Sequence, residues 1–261
     1  MNLLFWNLKQ NSNEKMIVDI ILEQDIDIAV FAEHLNTDFS TVCKSLSGKY
    51  TPHPGYGGCE KITLLAKSIH SIIIKREQTR YTLYSCSAGS FVYNLAGIHL
   101  PSNPNSNSDD RKNVIRDIIH DINELERESK CKNTIVIGDF NASPFDSELT
   151  QKDAFNAVMY KELINNTEFV QSNNKRYRRF YNPMVHYLSE DTQTYGSFYC
   201  TGGINSLYWY CYDQVLVRKS LVSHLESLQY AKIIGSKKLI KRLKPDASIS
   251  DHLPLIVKMK G

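Results

Sequence analysis

Thr134-Ile135-Val136-Ile137-Gly138-Asp139-Phe140-Asn141 holds a strand and a chemical signal in one short stretch. The β-branched Thr134, Ile135 and Val136 lead with Ile137 into an apolar run of the kind that fills a buried strand. Gly138 lets the backbone pass close to a neighbour. Asp139 and Asn141, two apart in an extended chain, point to the same side. An acid and an amide therefore face one spot just beyond a strand end. Taken alone, Gly-Asp-x-Asn is also ordinary loop chemistry, so its meaning depends on what the rest of the chain sends to meet it.

Several segments end or begin on comparable polar residues. Leu3-Leu4-Phe5-Trp6 reads as a strand ending at Asn7, and Ser12 or Asn13 can cap a helix running to about Gln24. Asp27 to Ala32 is a second buried strand that delivers Glu33, which completes a βαβ-sized unit. From Tyr50 to Gly97, short apolar segments between Gly, Lys and Ser turns predict antiparallel β structure, and the last of them runs into His99. Asn103 to Asp109 is a loop. A helix follows it, with Val114, Ile118, Ile119, Ile122 and Leu125 at helical spacing, and leads back to the opening strand. Downstream, a helix is expected after Pro144-Phe145-Asp146, and Thr167 to Gly203 reads as turn-rich. Leu207 to Tyr212 predicts a strand that Asp213 interrupts and Val215-Leu216-Val217 continues. Ser250-Asp251-His252 precedes a final strand, Leu255 to Met259. No repeat or linker-like break intervenes, so a single domain spanning residues 1–261 is the simplest organisation.

The bulk numbers set outer limits. In 261 residues, 42% are hydrophobic and 23% charged, an ordinary globular composition with a mild net charge of +3. No apolar run approaches the roughly 20 residues of a membrane-spanning helix. Met1 to Trp6 is too short for a signal sequence. The six cysteines show neither a Cys-x-x-Cys pair nor zinc spacing, so reduced thiols and a cytoplasmic location are expected.

If the last two strands run antiparallel to the earlier ones, Asn7, Glu33, His99, Asp139, Asn141, Asp213, Asp251 and His252 collect at one edge of a layered β core. Carboxylates and amides without a thiolate cluster suit Mg²⁺ or Mn²⁺, hard ions that bind phosphate oxygens beside one or two carboxylates. Histidines next to acids suit proton transfer or phosphoryl contact. A serine hydrolase lacks its Gly-x-Ser-x-Gly elbow here, and no Gly-x-x-x-x-Gly-Lys loop is present.

The ordered set Asn7, Glu33, Gly97-Ile98-His99-Leu100, Gly138-Asp139-Phe140-Asn141, Asp213 and Ser250-Asp251-His252 closely resembles the endonuclease/exonuclease/phosphatase superfamily. The resemblance implies a DNase I-like fold, a four-layer α/β/β/α sandwich with the site at one edge. It also implies Mg²⁺- or Mn²⁺-dependent phosphoester hydrolysis by an activated water. On that reading Glu33 and Asp251 hold the metal with Asn7 beside them. Asp139 positions or deprotonates the water, and Asn141 orients Asp139 and the phosphate. His252, held by Asp213, contacts the phosphoryl group or shuttles a proton, and His99 assists the leaving group or the phosphate. Glu33 sits in Ala-Glu-His where many members have Gln-Glu, and Asp213 precedes Gln, so no branch of the superfamily is assigned.

Two basic clusters bear on the substrate. One is Lys175 to Tyr181, with Arg176, Arg178 and Arg179 among aromatics. The other holds Lys237, Lys238, Lys241, Arg242 and Lys244. Cations neutralise backbone phosphates and aromatics stack on bases, although either cluster could equally be a solvated surface. The expectation is a nuclease acting on DNA or RNA, with no membrane partner and the oligomeric state open. The alternatives are a phosphatase or phosphodiesterase for a small or lipid phosphoester, and a catalytically silent nucleic-acid-binding module.

Overall fold

The run Thr134–Asp139 is a strand buried along its whole length. In the computed structural model, which describes residues 1–102, 108–188, 196–202, 207–230, 233–234 and 237–260, Ile135 and Ile137 enter one apolar core and Val136 another. The split follows from the period of two, which sends successive side chains to opposite faces. A strand with a core on each face needs a layer on each side.

The chain opens with β1 (Asn2–Asn7), α1 (Glu14–Glu23) and β2 (Ile28–Ala32), the expected βαβ unit, with β1 parallel to β2 and Asn7 opposite Ala32. Ser12 and Asn13 stand at the start of α1, but neither side chain caps it. Ser12 Oγ bonds Glu14, and the Asn13 amide donates to the Ile249 carbonyl at 2.6 Å. The amide expected to start the helix instead ties it to the distant Ile249.

Next come α2 (Phe39–Ser45), β3 (Tyr50–Pro54), β4 (Ile62–Lys67), β5 (His70–Gln78), β6 (Tyr81–Ala88) and β7 (Phe91–His99). β3–β4 and β5–β6–β7 are antiparallel, as the alternating segments predict. Residues 103–107 of the expected loop lie outside the described residues, and Ser108 and Asp109 already belong to α3 (Ser108–Ser129). Ile115, Ile118, Ile122 and Leu125 of α3 cover the second core. β8 (Thr134–Asp139) then lies parallel to β7, with His99 opposite Asp139.

After β8 follow α4 (Ser147–Thr150), a single turn where a helix is expected, and β9 (Ala157–Val158). Then come α5 (Lys161–Asn166), β10 (Phe169–Ser172), β11 (Lys175–Arg178) and β12 (Phe180–Tyr181). Residues 189–195 and 203 of the turn-rich region lie outside the described residues. β13 (Phe198–Cys200) and β14 (Tyr208–Tyr210) form a small hairpin, and β15 (Asp213–Val217) pairs antiparallel with β8. The segment expected as one interrupted strand is therefore two. Tyr210 pairs within the hairpin and Asp213 pairs in the large sheet, so the chain must turn at Cys211 and Tyr212. β16 (Leu225–Tyr230), the two-residue pairs β17 (Ile233–Ile234) with β18 (Lys237–Lys238) and β19 (Ile240–Lys241) with β20 (Lys244–Pro245), and β21 (Leu255–Met259) finish the chain.

Two mixed sheets result, ordered β16-β21-β1-β2-β4-β3 and β5-β6-β7-β8-β15-β12-β9. They pack face to face between helical layers, the expected four-layer sandwich. Gly97 marks how closely they approach: a Cβ there would lie 2.9 Å from Ile62 Cγ2 and 3.0 Å from Val30 Cγ1 on the opposite sheet. Among the described residues no helix is long and apolar enough to cross a membrane.

Candidate active site

Register assembles the site. β7 and β8 end together, and β15 starts where β8 ends, so His99, Asp139 and Asp213 stand abreast on neighbouring strands. On the other sheet β1 and β2 deliver Asn7 and Glu33 to the same edge. β21 runs antiparallel to β1, which brings the preceding Asp251 and His252 there as well. Glu33 and Asn141 leave their strands with φ of 49° and 46°. That left-handed turn comes readily to Asn but is uncommon for a residue such as Glu. Strain of this kind concentrates at functional sites.

Asp139 is the hub. Asn141 N–H donates to its Oδ1 at 2.9 Å, and the Asn7 amide donates to its Oδ2 at 3.1 Å while also reaching Glu33 Oε1 at 3.3 Å. His99 Nε2 stands 3.4 Å from Glu33 and 3.7 Å from Asp139, and His252 Nε2 stands 3.9 Å from Asp139. The Asn141 side chain donates to the Leu100 carbonyl instead, so its backbone, not its amide, orients Asp139. The far ring nitrogen of His252 meets Asp213 at 2.7 Å. Ser250 Oγ accepts from His252 N–H and donates to the Asn7 carbonyl, and Trp6 Nε1 donates to the His252 carbonyl. The last two bonds tie β1 to the segment before β21 within one sheet, while His252 to Asp213 and Asn7 to Asp139 join the two sheets at this edge.

The two histidines differ in charge. Burial disfavours the imidazolium of His252, but the Asp213 carboxylate beside it, with Asp139 and Asp251 adding, outweighs that and raises its pKa well above the ordinary 6.5. His252 is thus an imidazolium at neutral pH. For His99, burial wins over the attraction of Asp139 and Glu33, and nearby Lys61 and Arg80 push the same way. Its pKa falls below the ordinary 6.5, and the ring is neutral.

Asn7, Glu33, His99, Asp139, Asn141, Asp251 and His252 line a cleft of about 410 Å³, with Asp213 buried behind His252. It also contains Lys9, Lys61 and Arg80, which sequence reasoning missed. Lys9 pairs with Asp251 at 3.0 Å. Lys61 precedes β4 and Arg80 precedes β6, and β4 runs antiparallel to the strand that brings Glu33. The rule that finds Asp213 at the start of an antiparallel strand would have found Lys61. A larger cavity of about 680 Å³ lies at the far end of the first sheet, where its Lys67 is spent on Asp25 and Asp27.

Arg176, Arg178 and Arg179 are not brought to this cleft. Arg178 pairs with Glu126 and Glu168 and is mostly buried, and Glu126 also binds Arg218 and Thr134 Oγ1. Thr134 begins the strand that Asp139 ends, so this network lies about 17 Å from the acid centre at roughly 3.3 Å per residue. Arg176 sits over the Phe169 ring and Arg179 bonds the Thr167 and Phe169 carbonyls. Arg178 and Arg179 thus brace neighbouring elements, while Arg176 stays exposed over its ring, and none of the three lines the cleft. Lys241 and Arg242 are on the β19–β20 hairpin, whose Lys244 and Pro245 border a groove that shares Asp251 with the cleft.

The donor set fits a hard divalent cation. Glu33 and Asp139 converge on one amide with only a neutral imidazole between them, and Glu33 has no Lys or Arg ion pair among the described residues. Of the two expected ligands, Asp251 is partly compensated by Lys9 and Glu33 is not. Asp139, Asp213 and His252 also bring one atom each within 4.8 Å of one another. Asp213 and His252 use their facing atoms on each other, so that trio is a proton-holding arrangement rather than a metal cage.

A family model described as the Endonuclease/Exonuclease/phosphatase family matches residues 4–252. Among curated protein sequences nothing matches. The fold is similar to that of the endonuclease domain of TRAS1, a telomere-specific non-LTR retrotransposon. The TM-score is 0.59 at 11% identity, covering 100% of this chain and 98% of that one. Truncated TDP2 from Caenorhabditis elegans aligns at TM-score 0.59 and 14% identity over 100% and 97% of the two chains. A mannosyl-6-phosphatase from Bacteroides thetaiotaomicron aligns at TM-score 0.64 and 11% identity over 100% of both.

Proposed function

Because this chain belongs to the endonuclease/exonuclease/phosphatase family and is a metal-dependent phosphoester hydrolase, we propose that it is a nuclease hydrolysing DNA or RNA phosphodiesters with Mg²⁺ or Mn²⁺. One observation carries the choice of substrate: cations flank the acid centre on both sides. Lys61 and Arg80 line the cleft on the β4 and β6 side, while Lys244, on the hairpin that also carries Lys241 and Arg242, lines the groove beyond Asp251, the residue that precedes β21. β21 and β4 are three strands apart in the sheet, about 14 Å at the usual strand spacing. A substrate with negative charge on both sides of the scissile position matches that span better than a lone phosphomonoester does.

In this reading Glu33 and Asn7, with Asp251, hold the divalent ion, which when bound supplies positive charge to the phosphoryl oxygens and acidifies water. Asp139, fixed through both oxygens, orients the attacking water and accepts its proton. His252, kept charged by Asp213, faces the developing negative charge on the phosphoryl group. His99, neutral beside Glu33 and Asp139, assists the phosphate or leaving group.

The test is a panel of plasmid, single-stranded DNA, abasic duplex and RNA with Mg²⁺ or Mn²⁺, run beside sugar phosphates. Chain cleavage that EDTA abolishes is expected. Release of inorganic phosphate from the sugar phosphates with every polynucleotide intact would overturn the nuclease reading.

A further inference from the structure

The groove beyond Asp251 plays no part in the chemistry above. It measures about 260 Å³ and runs between the β13–β14 hairpin, which contributes Tyr199, and the β19–β20 hairpin, which contributes Lys244 and Pro245. Asp251 lines both groove and cleft, so the two spaces adjoin. The Tyr199 ring meets Trp209 edge-on at 5.4 Å and 74°, and Trp209 packs on the main core. Tyr199 therefore presents a ring of fixed orientation.

The two hairpins that border this groove carry left-handed backbone, and Tyr208 stands beside the Tyr199 ring at 6.1 Å. Arg242 and Leu243 turn the β19–β20 hairpin with φ of 52° and 64°, and Tyr208 on the other hairpin has φ of 66°. Consecutive positive φ values are those of a type I′ turn, normally filled by Asn-Gly. Here they lift large side chains into solvent: Leu243 is 84% exposed and Tyr208 54% exposed. Backbone strain of this kind clusters at functional sites.

We propose that this groove is a base-stacking subsite: one unpaired nucleobase next to the scissile phosphodiester stacks on Tyr199, with its phosphate at Lys244. The proposal rests on the nuclease reading of the cleft. A base reaches Tyr199 only outside a duplex stack, so the protein takes single-stranded or frayed nucleic acid in preference to intact duplex. A flat ring beside a cation in a concave groove suits a nucleotide. Exposed Leu243 beside Arg242 is the part of this surface that a lipid headgroup layer could also use, and vesicles therefore serve as the control.

Steady-state cleavage of a short single-stranded oligothymidylate is compared with that of bis(p-nitrophenyl) phosphate, which is too small to fill the groove. Tyr199→Ala is expected to raise KM for the oligonucleotide about tenfold, the scale of one base–aromatic stack. The small diester is hydrolysed as before, Tyr199→Phe behaves as wild type, and the wild type favours single strand over duplex of the same sequence. Three results would overturn the proposal while leaving the nuclease reading intact. These are an unchanged oligonucleotide KM in Tyr199→Ala, an equal loss on both substrates, or binding to phosphatidylserine vesicles that Leu243→Ala abolishes with no KM change in Tyr199→Ala. Wild-type hydrolysis of the small diester with no oligonucleotide cleaved would instead overturn the nuclease reading itself.

Discussion

Asp139 has little freedom left: each carboxylate oxygen is held by an N–H, from Asn141 on one side and Asn7 on the other. A group so fixed is suited to aligning a water. Asp139→Asn keeps the shape and loses the base, and is expected to lower kcat by about 10²–10⁴-fold with urea unfolding little changed. Asp139 and Asn141 were legible as a pair, but the mechanism of their pairing was not, because a side-chain pattern is silent on backbone N–H direction. Lys61 and Arg80 escaped because each precedes an apolar run, whereas most of the polar residues that drew notice end one. Removing both cations is expected to raise KM for a polynucleotide and to flatten its dependence on salt, by a slope of about one for each phosphate no longer neutralised. An unchanged salt slope would place them outside the binding path.

Among the elements, β8 was the most legible, since its β-branched apolar run reads as a buried strand and its terminal acid has counterparts at the ends of other strands. A Cβ on Gly138 would lie 2.1 Å from the Ile98 carbonyl oxygen, so the strand cannot shift without moving its partner β7. Gly138→Ala is expected to destabilise the protein by about 1–3 kcal/mol, the usual range for overpacking, and to lower activity by displacing Asp139 from His99. The β10–β11 hairpin was less legible, because alternating arginines and aromatics look alike whether they meet nucleic acid or buried glutamates. Arg178→Ala is expected to cost on the order of 3 kcal/mol in chemical denaturation while leaving affinity for an oligonucleotide untouched. At the opposite end of β2, burial tends to raise the pKa of Asp27, but Lys67 and the Asn2 N–H more than offset it and hold it below 3.8. A depressed carboxylate contributes stability above its unfolded pKa and loses it as pH falls through the folded one. Between about pH 6 and about pH 3, Asp27→Asn is therefore expected to lose less stability than wild type.

For the whole molecule, the shared edge was legible because strand direction can be inferred from which end of a run carries the polar residue. Asn7, Glu33, His99 and Asp139 finish their strands, and Asp213, Asp251 and His252 precede or begin theirs. What the pattern could not supply was the bonding between distant segments, such as Trp6 with the His252 carbonyl or Ser250 with Asn7, since these bonds join residues more than 240 apart. The account's central claim is that this edge, through Asp139 and a divalent ion, cuts polynucleotide chains. Its most direct test is the turnover of an end-labelled single strand by wild type and Asp139→Asn, each with Mg²⁺ and with EDTA. Cleavage is expected from the wild type with Mg²⁺ alone. Cleavage that survives in Asp139→Asn or in EDTA, or an uncut strand beside active hydrolysis of a small phosphomonoester, would contradict it.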